Sequence, residues 1–334
     1  MERPILVGAG LALFAGFAFF VWHGPGLLHA FGSSRPPSEE APIEARETVL
    51  ETPASDGHAA TTYRAIVFAP ASAWTGTASV KLPAVVFMPG WGGRANASNV
   101  IPRRIASRDI IVVAVDDVEH DLPEAGESED ERLARLLSYD LAAPGGLARF
   151  VRLADLKADL AAAKLSRVID AVTAGRAKEN FNPLGMIDGR HIAVVGYSFG
   201  GTAATAALHV EPRISAAVNI DGWLFGKNSS SASPRPYLFF ASTNSLPTFG
   251  LGAERKNTLA IDALSEQRHR AQLQSAASQS VIVPGSLHGD LADELYSGRR
   301  WTEWRPWKTP LAEARSVRAT IDKELFGFLA AHLK

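Results

Sequence analysis

The sequence predicts an α/β protein, built on a mostly parallel sheet with helices on both faces. Three observations carry this reading. Short apolar runs recur along the chain with helical patterns between many of them, as expected when strands are buried on both faces and joined by crossover helices. Residues Leu156, Leu160, Leu165, Val168, Ile169 and Val172 repeat at helical spacing, and Val317, Ile321, Leu325, Phe328 and Leu329 do so again near the C-terminus. Finally, the apolar run Ile192-Ala193-Val194-Val195 enters Gly196-Tyr197-Ser198-Phe199-Gly200-Gly201 and then an Ala-rich stretch, a strand, a tight turn and a helix in succession.

The elements follow in chain order. Residues 5–22 carry no charge and are almost wholly apolar, with Arg3 before them. Such a run is long for the apolar part of a cleaved leader and just long enough to span a bilayer. Residues 1–30 are therefore expected to be a signal anchor or, if cleaved after Ala30, a signal peptide. The first case gives a membrane-anchored protein with an extracytoplasmic globular domain, the second a secreted or periplasmic one. Residues 31–60 hold Pro36, Pro37 and Pro53, several Ser and Glu, and little apolar periodicity, so they read as a flexible linker. The globular domain is expected over 61–334. Its strands are expected at Tyr63–Phe68, Ala84–Phe87, Ile110–Val115, Ile192–Val195, Ala216–Ile220, Tyr237–Phe240 and Ser280–Val283, and Thr309-Pro310 marks a plausible start for the last helix.

Composition removes several function classes. The net charge of −1 gives no sign of nucleic-acid binding. The chain has no cysteine, which excludes disulfides, thiolate metal sites and a cysteine nucleophile. No P-loop or Gly-rich dinucleotide motif occurs.

The chemistry-bearing motif is the G-x-S-x-G turn at 196–200. A serine hydroxyl becomes a useful nucleophile when a sharp strand-to-helix turn presents it. Gly196 and Gly200 relieve the collisions such a turn would cause, and the helix N-terminus behind Ser198 favours developing negative charge. The partners should lie on loops at strand carboxyl ends, in the order Ser, acid, His. His288 follows the strand Val281–Val283 and is the expected base. His269 lies in the charged run Glu266-Gln267-Arg268-His269-Arg270 and reads as a solvated helix face, while His332 sits near the chain end. Asp221 directly follows Ala216–Ile220. The stretch after Tyr237–Phe240, Ala241-Ser242-Thr243-Asn244, has no carboxylate, so Asp221 is the expected acid. Backbone N–H groups of Phe199 and of Trp91, in the loop Met88-Pro89-Gly90-Trp91-Gly92-Gly93, are the expected oxyanion donors.

These residues resemble the platelet-activating-factor acetylhydrolases and their bacterial relatives. The matching pieces are Gly196–Gly201, then Ile220-Asp221-Gly222-Trp223-Leu224-Phe225, then Pro236–Phe240, and finally Gly285-Ser286-Leu287-His288-Gly289-Asp290-Leu291-Ala292-Asp293. The resemblance extends over roughly residues 61–300. It implies an α/β-hydrolase fold and a metal-independent esterase with no cofactor, using Ser198, Asp221 and His288. It also implies short or oxidised acyl chains at the sn-2 position of a phospholipid as substrate. Trp91, Tyr197, Trp223 and Phe225 are then the expected substrate-binding residues. The chain departs from the family pattern at Pro89, where a histidine is usual, at Trp91, where a smaller apolar residue is usual, and at Tyr197, another usual histidine. Those departures bear on the substrate rather than on the reacting groups. A broad carboxylesterase or polyesterase of the same fold is the alternative, and a membrane-tethered binding domain without catalysis is a second.

Two further segments stand out. Trp301, Trp304 and Trp307 sit among Arg299, Arg300, Arg305 and Lys308, which suits either a lipid-facing edge or a loop packed by its own aromatics. The acidic stretch Asp116-Asp117-Val118-Glu119-His120-Asp121, with Glu124, Glu127, Glu129, Asp130 and Glu131 beyond it, lacks the ligand spacing of a calcium loop, and reads as a solvated loop or mobile lid.

Overall fold

The computed structural model describes residues 42–54, 60–77, 80–97, 99–123, 125–137, 140–178, 182–244, 253–292 and 311–333. The apolar segment 5–22, the Thr309-Pro310 helix start and the tryptophan-rich segment 301–307 lie outside them. Among the described residues no helix is long and apolar enough to cross a membrane.

The first half of the fold comprises β1 (Ile43–Thr52), β2 (Thr61–Pro70), α1 (Ala71–Thr75), β3 (Leu82–Met88), α2 (Val100–Ala106), β4 (Ile111–Val115), α3 (Glu129–Leu136) and α4 (Gly146–Thr173). The second comprises α5 (Asn182–Gly185), β5 (Ile187–Tyr197), α6 (Phe199–Val210), β6 (Ile214–Ile220), β7 (Tyr237–Asn244), α7 (Ala253–Gln272), β8 (Ser278–Leu287) and α8 (Leu311–His332). The strands form one 8-stranded sheet in the order β1-β2-β4-β3-β5-β6-β7-β8. β2 runs antiparallel to both β1 and β4, and the remaining neighbours are parallel.

The strands sort their side chains by the period of two. Ala84, Val86 and Met88 of β3, Ile111, Val113 and Val115 of β4, and Ile192 and Val194 of β5 enter one core. Val85, Phe87, Val112, Ala114, Ala193 and Val195 enter the other. α4 and α6 cover the first face through residues such as Leu153, Leu165, Val168, Ala203 and Leu208. α2 and α8 cover the second through Ile101, Ile105, Ile321, Leu325 and Phe328. Both faces of the central strands are covered, and continuous apolar runs are the sequence signal of such strands.

One expectation is corrected. Residues 43–52, read above as linker, form β1, paired antiparallel with β2 from Ile43↔Pro70 to Thr52↔Thr61. Only Leu50 and Thr52 of this strand are buried. The ladder to β2 holds it, and its charged side chains face outward, with Glu44 bonded to Arg46 at 2.7 Å. An edge strand secured by its backbone and blunted by charge has little apolar periodicity to betray it.

Candidate active site

The parallel register brings four strand ends level. Met88 of β3 pairs with Gly196 of β5, Tyr197 with Ile220 of β6, and Ile220 with Phe240 of β7. The residues that follow these ends therefore share one edge of the sheet, where ligands bind in such folds.

Ser198 occupies the turn between β5 and α6 at φ 53° and ψ −123°. A non-glycine residue rarely holds such a backbone, and here its N–H donates to the Ile220 carbonyl at 2.8 Å. The flanking glycines make the turn possible. A Cβ at Gly196 would fall inside the Gly200 carbonyl, and one at Gly200 inside the Met88 carbonyl.

Asp221 also has positive φ, 56°. Its N–H donates to the Phe240 carbonyl at 2.9 Å. Its Oδ1 accepts from the Ser242 N–H at 2.8 Å, and its Oδ2 accepts from His288 Nδ1 at 2.8 Å. A carboxylate only accepts, so Nδ1 carries the proton and Nε2 is left as the acceptor. Ser198 Oγ lies 3.1 Å from that Nε2. The His288 and Asp221 side chains are 12% and 13% exposed, which limits the water that could compete with their bond. His288 opens a short 3₁₀ turn, His288–Leu291, after β8. Just before it, Gly285 takes φ 73° and the buried Ser286 hydroxyl donates to the Val283 carbonyl at 2.7 Å. The Gly-Ser-x-His spacing thus bends the chain over the sheet edge.

The structure brings Ser198, Asp221 and His288 together as a bonded chain. A serine O–H facing a neutral imidazole nitrogen, with a carboxylate on the other nitrogen, can pass its proton to the ring and attack an electrophilic carbon.

The other sequence-selected residues divide. Trp91 is 39% exposed, and its ring meets the buried Phe199 ring edge-on at 5.3 Å between centroids. Among the described residues, the N–H groups of Trp91 and Phe199 have no protein acceptor. Tyr197 stacks on the His288 imidazole at 5.0 Å and donates its O–H to the His288 carbonyl at 3.1 Å. Trp223 is half-buried and donates its indole N–H to Asp262 at 2.9 Å. Phe225 is 2% exposed and packs edge-on against Phe150 at 5.4 Å. It belongs to the core, which corrects its expected place in the substrate pocket.

Sequence reasoning missed three contributors. His269 is not a solvated residue: it is buried at 6% exposure, stacks on Phe239 at 3.6 Å, and bonds the Gly222 carbonyl at 3.0 Å and the Tyr237 hydroxyl at 3.2 Å. Burial pulls its pKa down to about 4. The neutral ring donates from Nε2 to Gly222 and accepts at Nδ1 from Tyr237. The second contributor is the Ser242 amide on Asp221. The third is the acidic stretch after β4. Its first two acids, Asp116 and Asp117, are buried rather than solvated, while Glu129 and Asp130 further on are exposed. Lys164 reaches Asp121 at 2.6 Å, and burial still raises the Asp121 carboxyl pKa.

Residues 169–293 match the family model of platelet-activating factor acetylhydrolase, isoform II. The chain is similar to that acetylhydrolase family over this stretch, which contains Ser198, Asp221 and His288. The resemblance drawn from the motifs is thereby upheld. Among solved structures, a ferulic acid esterase from Streptomyces cinnamoneus superimposes with a TM-score of 0.56 at 18% identity, covering 90% of this chain and 92% of its own. A protein of dienelactone-hydrolase type from Klebsiella pneumoniae does so with a TM-score of 0.50 at 15% identity, covering 86% of this chain and 99% of its own. These two likenesses are of fold, and that fold is the α/β-hydrolase fold.

Proposed function

We propose that the protein is a serine carboxylic-ester hydrolase acting through an acyl-enzyme. The observation that carries this reading is the continuous contact from Asp221 through His288 to a strained Ser198, at 2.8 and 3.1 Å. His288 Nε2 takes the Ser198 proton as Oγ bonds to the ester carbon, and the carbonyl π pair moves onto oxygen. The N–H groups of Phe199 and Trp91 receive that oxyanion. Its collapse expels the alkoxide, which takes the proton from His288 and leaves as the alcohol. Water then repeats the sequence on the acyl-serine, giving up a proton to His288 and releasing the acid with Ser198 restored. Asp221 holds the ring in the productive tautomer and stabilises its protonated form.

The match to the acetylhydrolase family supports short or oxidised acyl esters at the phospholipid sn-2 position as the substrate class. A broader carboxylesterase is the second reading. Trp91 favours it, because a half-exposed indole stands beside Phe199 on the loop where a smaller residue is usual in that family. A panel of p-nitrophenyl esters from acetate to octanoate, together with short-chain and long-chain sn-2 phosphatidylcholines, tests both. Turnover confined to short acyl groups and including the phospholipid supports the first, and turnover of the simple esters alone supports the second. No ester turnover by wild type, or full turnover by Ser198→Ala, overturns the assignment.

A further inference from the structure

The least expected group near the site is a lysine. Lys157 lies in the middle of α4 and is 0% exposed. An ammonium ion removed from water is costly unless it is paired and bonded. Its Nζ lies 3.0 Å from Asp117 Oδ2 and 2.7 Å from Glu119 Oε1, both in the segment that follows β4. The same Nζ stands 4.2 Å from the centre of the Trp91 ring and 4.8 Å from that of Phe199. A desolvated cation over two aromatic faces is attracted to both. Trp91 and Phe199 are the two residues whose N–H groups receive the oxyanion in the reading above.

The pairing reaches the backbone as well. Asp117 Oδ2, the atom that meets Lys157, also accepts the Gly92 N–H at 2.8 Å. The Asp117 N–H donates to the Gly93 carbonyl at 2.8 Å, and His120 Nε2 bonds the Gly92 carbonyl at 2.9 Å. The peptide units after Trp91 are thus fixed from below by groups gathered around one ammonium. The Gly92 amide is committed to Asp117 and cannot swing toward a substrate, while the Trp91 amide carries no such bond among the described residues. Asp117 is itself fully buried, so the ammonium also neutralises a carboxylate that would otherwise stand uncompensated. The same pairing reaches the loop, because Asp117 Oδ2 holds the Gly92 N–H.

We propose that Lys157 is a positioning residue for the oxyanion loop, acting through Asp117, Glu119 and the rings of Trp91 and Phe199. The inference rests on the ester-hydrolase reading of the site. Oxyanion donors act on charge that exists only in the transition state, so their misplacement lowers kcat and leaves ground-state binding alone.

The test compares wild type, Lys157→Met and Glu119→Gln on p-nitrophenyl butyrate, with competent sites counted by end-point fluorophosphonate titration and folding followed by thermal melting. Lys157→Met is expected to lose roughly 10- to 100-fold in kcat per site with little change in KM, a fraction of the loss from deleting a whole donor. Glu119→Gln, which keeps the shape and one of the two carboxylates, should lose less in the same direction. An unchanged kcat per site in folded Lys157→Met overturns the inference, even if its melting temperature falls. If Lys157→Met does not fold, Glu119→Gln decides, and wild-type kcat in that variant overturns it. A wild-type protein that hydrolyses no ester overturns the underlying reading as well, and that outcome is visible before any variant is made.

Discussion

The Ser242 amide donates to the Asp221 carboxylate at 2.8 Å. Ser242 lies in β7, after which the sequence offers no acid, and Asp221 follows β6, the neighbouring strand. The strand end that lacks a carboxylate thus steadies one supplied from next door. Asp221 Oδ1 accepts that bond, and Oδ2 orients His288. Asp221→Asn preserves the shape but can present its amide N–H to Nδ1, favouring the wrong tautomer. We expect kcat for p-nitrophenyl butyrate to fall by roughly 10³- to 10⁴-fold, with KM close to wild type. A loss below 10-fold would place the orienting acid elsewhere.

The strain at Ser198 should be measurable as stability. Its φ of 53° and ψ of −123° suit glycine better than any side-chain-bearing residue. Ser198→Gly and Ser198→Ala should both be inactive, but the glycine variant should be the more stable, by about 1 kcal/mol. Urea unfolding of the two variants checks this, and equal midpoints would deny that the backbone is strained.

The close approach at Gly200 sets a steeper limit. A methyl group there would enter the Met88 carbonyl, which is backbone and cannot rotate away. Gly200→Ala should therefore cost more than about 3 kcal/mol or fail to fold. A variant with a wild-type melting temperature would mean that α6 can withdraw from β3.

The buried imidazole of His269 gives the fold an acid limit. Its pKa is about 4 in the folded protein, against the ordinary 6.5, so the folded state binds fewer protons than the unfolded chain between these values. Stability from this group is complete above pH 6.5 and is lost as pH falls toward 4, by about 3 kcal/mol as an upper figure. Protonation would also put a donor on Nδ1 opposite the Tyr237 hydroxyl. Unfolding free energy measured from pH 7 to pH 4 should fall less steeply for His269→Gln than for wild type. Parallel curves would remove His269 from the account.

Tyr197 ties the base to the turn that carries the nucleophile. Tyr197→Phe keeps the ring stacked on His288 and removes the hydroxyl that donates to its carbonyl. A neutral hydrogen bond of this kind contributes about 1 kcal/mol, so a loss of several-fold in kcat is expected, with Tyr197→Ala losing more. Equal losses in the two variants would assign the whole effect to the hydroxyl.

Much of this was legible in the sequence where burial is two-sided. The seven expected strands are all present; the central ones are apolar runs covered on both faces, whereas β8, at the sheet edge, leaves Ile282 67% exposed. Ser198, Asp221 and His288 were legible because each directly follows or closely trails such a run. What escaped notice was held by polar contacts. β1 shows no alternation since its ladder to β2 does the work. The inner face of α7 is Ile261, Ser265, His269 and Gln272, so a polar face that is buried looked like one that is wet. Lys157 and Lys164 lie seven residues apart on the covered side of α4, and a lysine in a helical stripe ordinarily reads as surface. Phe225 erred the other way, since an aromatic residue beside Asp221 suggested a pocket where the chain had built core.

The central claim is that the hydroxyl at position 198 is made nucleophilic by the imidazole at 288. The direct measurement is the intact mass and peptide map of the full chain after brief exposure to a fluorophosphonate. The account predicts one phosphonyl adduct per molecule, on the peptide containing Ser198, and none in Ser198→Ala or His288→Gln over the same interval. No adduct on wild type, or one at another residue, would contradict it.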